Sequence, residues 1–109
     1  MNRISHFEEL LRRGRDDAIL RYSLATEYYK CGQPAAATEH LRHAIAIEPG
    51  YSAAWKLYGK ALAEQGLTNE AIQIYEQGIA LAETRGDIQA AKEMRVFLKR
   101  LQKDRPQGD

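Results

Sequence analysis

Two stretches decide the fold: residues 22–51, YSLATEYYKCGQPAAATEHLRHAIAIEPGY, and residues 53–83, AAWKLYGKALAEQGLTNEAIQIYEQGIALAE. Set against each other at an offset of 34 residues, they agree in side-chain size at one position after another. Leu24 falls on Tyr58, Ala25 on Gly59, Tyr28 on Leu62, Gly32 on Gly66, Ala37 on Ala71, Leu41 on Tyr75 and Ala44 on Gly78. A fixed period of this length is the signature of a repeat architecture, in which each unit buries its apolar face only against the next. The small members sit inside helical patterns. A glycine in a helix interior costs about 1 kcal/mol relative to alanine, so Gly59 and Gly78 are expected to mark close approach between helices. Leu24, Tyr28 and Leu41 are the large partners that fill the space beside small residues.

Start and stop signals divide the period into helices. Ser5 with Glu8 has the form of a capping box for a short first helix carrying Phe7, Leu10 and Leu11. Asp16 or Asp17 is placed to cap a second helix with the stripe Leu20, Leu24, Tyr28 and Cys31, stopped by Gly32. Pro34 stands at the start of a third, where its missing N–H costs nothing. That helix carries Ala37, Leu41, Ala44 and Ile45 and ends by Pro49. A fourth runs from about Tyr51 to Gln65 with Ala54, Trp55, Tyr58, Gly59 and Leu62 inward. Thr68 or Asn69 is placed to cap a fifth, with Ala71, Ile72, Tyr75, Gly78 and Ile79. Residues 84–87 read as a turn. Asp87 caps a last helix with Ile88, Ala91, Met94, Leu98 and Leu101 on one stripe and Phe97 beside it. Connections this short force neighbouring helices to run antiparallel. The expected fold class is therefore all-α, five long helices plus a short N-terminal one, in a single domain. Its parts are an N-terminal helix at 5–13, units at 18–51 and 52–85, a capping helix at 87–103 and a flexible tail at 104–109.

The pattern Leu24-Ala25, Tyr28, Gly32, Ala37, Leu41, Ala44, Pro49, with Trp55, Tyr58-Gly59, Leu62, Gly66, Ala71, Tyr75 and Gly78, resembles the tetratricopeptide repeat over residues 18–85. Arg21 stands where the second unit has Trp55, and Glu83 where the first has Pro49. The last helix is shifted in register and reads as a cap. The resemblance implies a very small bacterial member of the family, with antiparallel hairpins stacked as a short right-handed superhelix that acts as a protein-interaction scaffold. In such a stack the first helices of successive hairpins line the concave side. That puts Tyr22, Thr26, Tyr29, Lys30, Lys56, Lys60 and Glu64 in a candidate groove for a peptide with apolar and acidic groups. Some members grip a C-terminal carboxylate with Lys, Asn and Arg, but Tyr22 and Thr26 occupy the positions of Lys and Asn, so that clamp is not reproduced. With only two full units, the helices at 4–13 and 88–101 are expected to cover the ends of the stack, self-association being the competing way to hide them.

Charge and composition narrow the function. Sixteen Lys and Arg against fifteen Asp and Glu leave a net charge of +1, so no global field draws the chain to nucleic acid or membrane. Locally, residues 92–105 hold six basic and two acidic side chains, and residues 61–91 hold one basic and five acidic. Lys92, Arg95, Lys99, Arg100 and Lys103 thus form a secondary basic surface, suited to an acidic partner or head-to-tail association. The simpler explanation is cations meeting a helix C-terminus. No cofactor or catalytic set is expected. His40 and His43 share a helix turn with Glu39 but lack a third metal ligand, and both are expected on the solvated side. Cys31 is alone and is expected to be a packed thiol. No Gly-rich phosphate loop occurs. The N-terminus lacks an apolar core for a secretory signal and no apolar run approaches a membrane span, so the cytoplasm is the expected compartment. A non-catalytic protein-binding module ranks first, a structural or self-associating scaffold second, an RNA-associated accessory protein third.

Overall fold

In the computed structural model, which describes residues 2–104, the chain is a succession of six helices: α1 (Arg3–Arg12), α2 (Ala18–Lys30), α3 (Pro34–Ile47), α4 (Ser52–Glu64), α5 (Thr68–Thr84) and α6 (Ile88–Asp104). No strand occurs among the described residues. Helices α2 and α3 form one hairpin, α4 and α5 a second, and α6 packs on the second as α1 packs on the first.

The two hairpins turn by the same device. Gly32 and Gly66 both adopt a left-handed backbone with φ of 76°. The following amide then reaches back over the end of the helix: Gln33 N–H donates to the Tyr28 carbonyl at 2.9 Å, and Leu67 N–H donates to that of Leu62 at 3.1 Å. These bonds satisfy carbonyls that the helix end leaves without a partner. At the N-termini, Asp17 accepts from Leu20 N–H at 2.7 Å and Asp87 accepts from Ala90 N–H at 3.2 Å, as expected. Two other caps differ from expectation. The first helix starts two residues early because Asn2, not Ser5, supplies the capping oxygen, accepting from Ser5 N–H at 2.8 Å. Thr68 is already helical, and the Leu67 position before it makes no side-chain cap bond. At the other end, Asp104, expected in the flexible tail, belongs to α6; the rest of that expected tail, residues 105–109, lies outside the described residues.

The core is built from size matching. Between the first hairpin and α4 it is lined by Ala25, Ala37, Leu41, Ala44, Ala54 and Ala61, with Tyr28, Tyr51 and Tyr58 fringing it. Between the second hairpin and α6, larger residues take over: Trp55, Tyr75, Ile79 and Met94 pack with Ala82, Ala90 and Ala91. Gly59 and Gly78 occupy the closest approaches. A Cβ at Gly59 would overlap the Tyr75 ring, and one at Gly78 would stand 2.8 Å from Met94 Sδ and 2.9 Å from Trp55 Cβ. Trp55 is pinned by its indole N–H, which donates to the Pro49 carbonyl at 2.7 Å.

Three side chains sit differently from the sequence reading. Cys31 is exposed, because the stripe it extends runs out where α2 ends. Ile88 is 56% exposed at the very start of α6, while Ala90 and Ala91 turn inward. His40 is half-buried rather than solvated: its ring stacks on Tyr28 at 5.6 Å.

Because Tyr75 fills the space a side chain at position 59 would need, Gly59→Ala should destabilise the protein. Overpacking costs about 1–3 kcal/mol, which outweighs the roughly 1 kcal/mol of helix propensity that alanine gains. Thermal denaturation should show a lowered Tm. In a double-mutant cycle with Tyr75→Leu the two effects should be clearly non-additive.

Candidate functional site

The first helix of each hairpin, together with α6, faces one side of the stack, and there the side chains converge. A cavity of about 240 Å³ is lined by Tyr29 of α2, Lys60, Ala63 and Glu64 of α4, Tyr75 of α5, and Phe97, Arg100, Leu101 and Asp104 of α6. Its floor is aromatic. Tyr75 is buried, and Phe97 stacks on it at 6.0 Å. Burial pushes the Tyr75 hydroxyl well above the usual phenol range, and burial followed by the nearby Glu64 carboxylate raises that of Tyr29. Both phenols therefore stay neutral donors across the physiological range.

Its rim carries two cations, Lys60 and Arg100, and two carboxylates, Glu64 and Asp104. Lys60 Nζ stands 5.1 Å from the centre of the Phe97 ring and the Arg100 guanidinium 5.9 Å. Both lie within the range where a ring face attracts a cation. Neither forms an ion pair among the described residues. Lys56, one turn back along α4, is committed differently: its ammonium pairs with Glu93 of α6 at 2.5 Å, which holds the Glu93 carboxyl below the usual carboxylate range.

The seven groove residues expected from sequence are thus divided by the structure. Tyr29, Lys60 and Glu64 meet in the aromatic cavity. Tyr22, Thr26 and Lys30 line a separate recess of about 290 Å³ with Arg3 and Phe7 of α1. There Thr26 Oγ1 donates to the Tyr22 carbonyl at 2.9 Å, and Tyr22 also leans on Tyr51 at 5.1 Å. Lys56 is tied to α6. Of the basic surface, Arg100 belongs to the aromatic cavity, whereas Arg95 and Lys99 border a different cleft, between α5 and α6, and Lys92 and Lys103 are exposed. Tyr75, Phe97 and Arg100 were not in the groove expected from sequence. Phe97 and Arg100 could have been found by noting that the helix caps Asp17, Tyr51 and Asp87 stand 34 and then 36 residues apart. On that corrected register Phe97 follows Ala61 and Arg100 follows Glu64.

His40 belongs to a polar chain that crosses the first hairpin outside the groove. Glu8 of α1 accepts from the Tyr28 hydroxyl, the Tyr28 ring stacks on His40, and Arg21 stands 3.2 Å from His40 Nδ1. Arg21 is held in turn by Asp16 at 2.7 Å. A guanidinium only donates, so His40 Nδ1 must accept and the ring must be neutral. Burial, then Arg21, accordingly lowers the His40 pKa. Among the described residues no three His, Cys, Asp or Glu side chains gather to hold a metal ion, and no helix is long and apolar enough to cross a membrane.

Helical hairpins stacked by small-to-large matching, with an open groove on one side, define a helical-repeat protein. The tetratricopeptide repeat model matches residues 28–94, and the chain belongs to that family. It is 45% identical to the TPR repeat-containing protein PA0015 of Pseudomonas aeruginosa over 94% of this chain and 97% of that one. The solution structure of protein BPP2914 from Bordetella parapertussis superposes with a TM-score of 0.84 at 41% identity, covering 95% of this chain and 90% of that one. YrrB, described as a TPR protein with an unusual peptide-binding site, shares the fold with a TM-score of 0.65 at 23% identity, over 93% of this chain and 59% of its own. The family generally mediates protein–protein interaction and is typically non-catalytic.

The neutral His40 has a consequence for stability. Its folded pKa lies below the unfolded value of 6.5, so the unfolded chain takes up a proton first as the pH drops. The contribution is present above that value and is lost as the pH falls through the folded pKa. Urea denaturation between neutral and mildly acidic pH should show the protein weakening on acidification, and His40→Gln should flatten that slope.

Proposed function

We propose that the protein is a non-catalytic interaction module that takes a peptide segment in the groove between α2, α4 and α6. A bulky apolar side chain enters among Tyr29, Tyr75 and Phe97, and an adjacent carboxylate meets Lys60 and Arg100. The observation that carries this reading is the pair of cations converging on one aromatic ring with no carboxylate of the described chain bound to either. An apolar cavity with a few convergent charged groups is the form a recognition site takes. The two cations, gathered at the Phe97 ring, attract an acidic group there and fix its register beside the apolar one. The peptide-binding site of YrrB, a protein of the same fold, adds a precedent for peptide recognition on this scaffold. The compartment suited to this role is the cytoplasm.

The test is a panel of labelled short peptides pairing Leu or Phe with Asp or Glu, set against controls in which the acid is replaced by Lys, with binding read by fluorescence anisotropy. The acidic-apolar peptides should bind and the lysine controls should not. Lys60→Glu combined with Arg100→Glu should weaken binding by about tenfold or more, as expected for like charges brought together at an interface, with the helical circular dichroism preserved. Phe97→Ala should weaken it comparably. Equal binding of both peptide sets, or affinity untouched by these substitutions, would refute the groove assignment.

A further inference from the structure

The far end of the stack carries a surface that the groove does not use. Helix α5 lies between α4 and α6, but α6 packs only against α5 and, less extensively, α4. On their outer side α5 and α6 leave a cleft of about 310 Å³, lined by Glu76 and Ile79 from α5 and by Arg95, Leu98, Lys99 and Gln102 from α6. Its floor is apolar and its walls are charged with opposite sign.

The contrast extends along both helices. Helix α5 carries Glu70, Glu76 and Glu83 and no Lys or Arg. Helix α6 carries Lys92, Arg95, Lys99, Arg100 and Lys103 against Glu93 and Asp104. Within the described residues one ion pair, Arg95 with Glu83, joins the two helices, while Glu76 and Lys99 form none. Ile88 and Val96 are 56% and 48% exposed. With Lys92 and Lys99 they recur at the three- and four-residue spacing that keeps side chains on one helix face. Large apolar side chains are thus left in water on the helix that bears the uncompensated cations.

We propose that this face binds a second copy of the chain about a two-fold axis, with α6 of each protomer lying along α5 of the other. A two-fold rotation exchanges the walls of the cleft, so an acidic wall beside a basic one is complementary to itself. Every contact made by Lys99 with Glu76 of the partner subunit then occurs twice. Ile79, Leu98 and Val96 form the apolar seam between them. A nucleic acid, an anionic membrane or an acidic helix from another protein would be attracted by α6 but repelled by α5, whereas a second copy satisfies both walls. Two helices of 17 residues span about 25 Å by 20 Å. The interface is therefore about 500 Å² per partner, at the lower end for specific association, and the dimer is reversible.

The proposal is independent of the peptide groove, and its test reads the oligomeric state. Sedimentation equilibrium from about 1 μM to about 1 mM, which brackets an interface of this size, should show a monomer–dimer equilibrium weakened by salt. Lys99→Glu alone, and Glu76→Lys alone, should each raise the dissociation constant by at least about tenfold, since each reversal spoils two symmetry-related contacts. Circular dichroism should confirm that both variants keep their helices. An equimolar mixture of the two variants should dimerise again. The glutamate introduced at position 99 of one copy then faces the lysine introduced at position 76 of the other, while native Lys99 and Glu76 face each other at the second contact. A monomer throughout the range, association indifferent to both reversals, or a mixture that stays monomeric would each overturn the proposal. So would a monomer whose α6 lysines instead bind an oligoribonucleotide or anionic vesicles.

Discussion

Everything in this molecule depends on how closely α5 can approach its two neighbours. Gly59 on α4 gives way to the Tyr75 ring, and Gly78 on α5 gives way to Met94 from α6 and to Trp55 from α4. Each glycine weakens its own helix, yet each admits a large side chain to a site where it becomes fully or almost fully buried. The small-to-large match sets the spacing of α4, α5 and α6. It also explains why the core enlarges along the stack, from the alanines around the first hairpin to Trp55, Tyr75 and Met94 where the second hairpin meets α6.

The groove follows from that spacing. Once Met94 is seated against Gly78, the adjacent Glu93 reaches Lys56 and, about one turn on, Phe97 reaches Lys60. Helix α6 therefore covers the end of the second hairpin and also completes the floor and rim of the candidate binding site. The same packing leaves the opposite side of α6 without a neighbour. One helix thus supplies part of an aromatic cavity on one face and of a charged, partly apolar cleft on the other, and the two surfaces share no lining residue.

How far the site was legible depends on how far the period holds. From α2 to α4 the offset of 34 aligns caps, stops and small residues, and the sequence places Tyr29, Lys60 and Glu64 on the groove side. Helix α5, however, has 17 residues where α3 has 14. The added length moves α6 two residues out of step, so a strict repeat misassigns its faces and misses Phe97 and Arg100. A different failure affected His40 and Cys31. Both were judged from helical periodicity alone, whereas their burial depends on what the neighbouring helix presents: Tyr28 and Arg21 for His40, and nothing beyond the end of α2 for Cys31.

The sequence by itself determined the all-α class, the number of helices, the hairpin pairing and the positions of closest packing. Those features are local or periodic: a glycine stop, a proline at a first turn, a small residue in register with a large one. Only the tertiary structure decided which polar side chains meet. Lys60 and Arg100 are 40 residues apart in sequence and converge on one ring because α5 turns the chain back and sets α6 beside α4. The pairing of Lys56 with Glu93, the burial of His40 and the opposite walls of the α5–α6 cleft have the same origin, since long-range contacts are fixed by the spacing and rotation of whole helices.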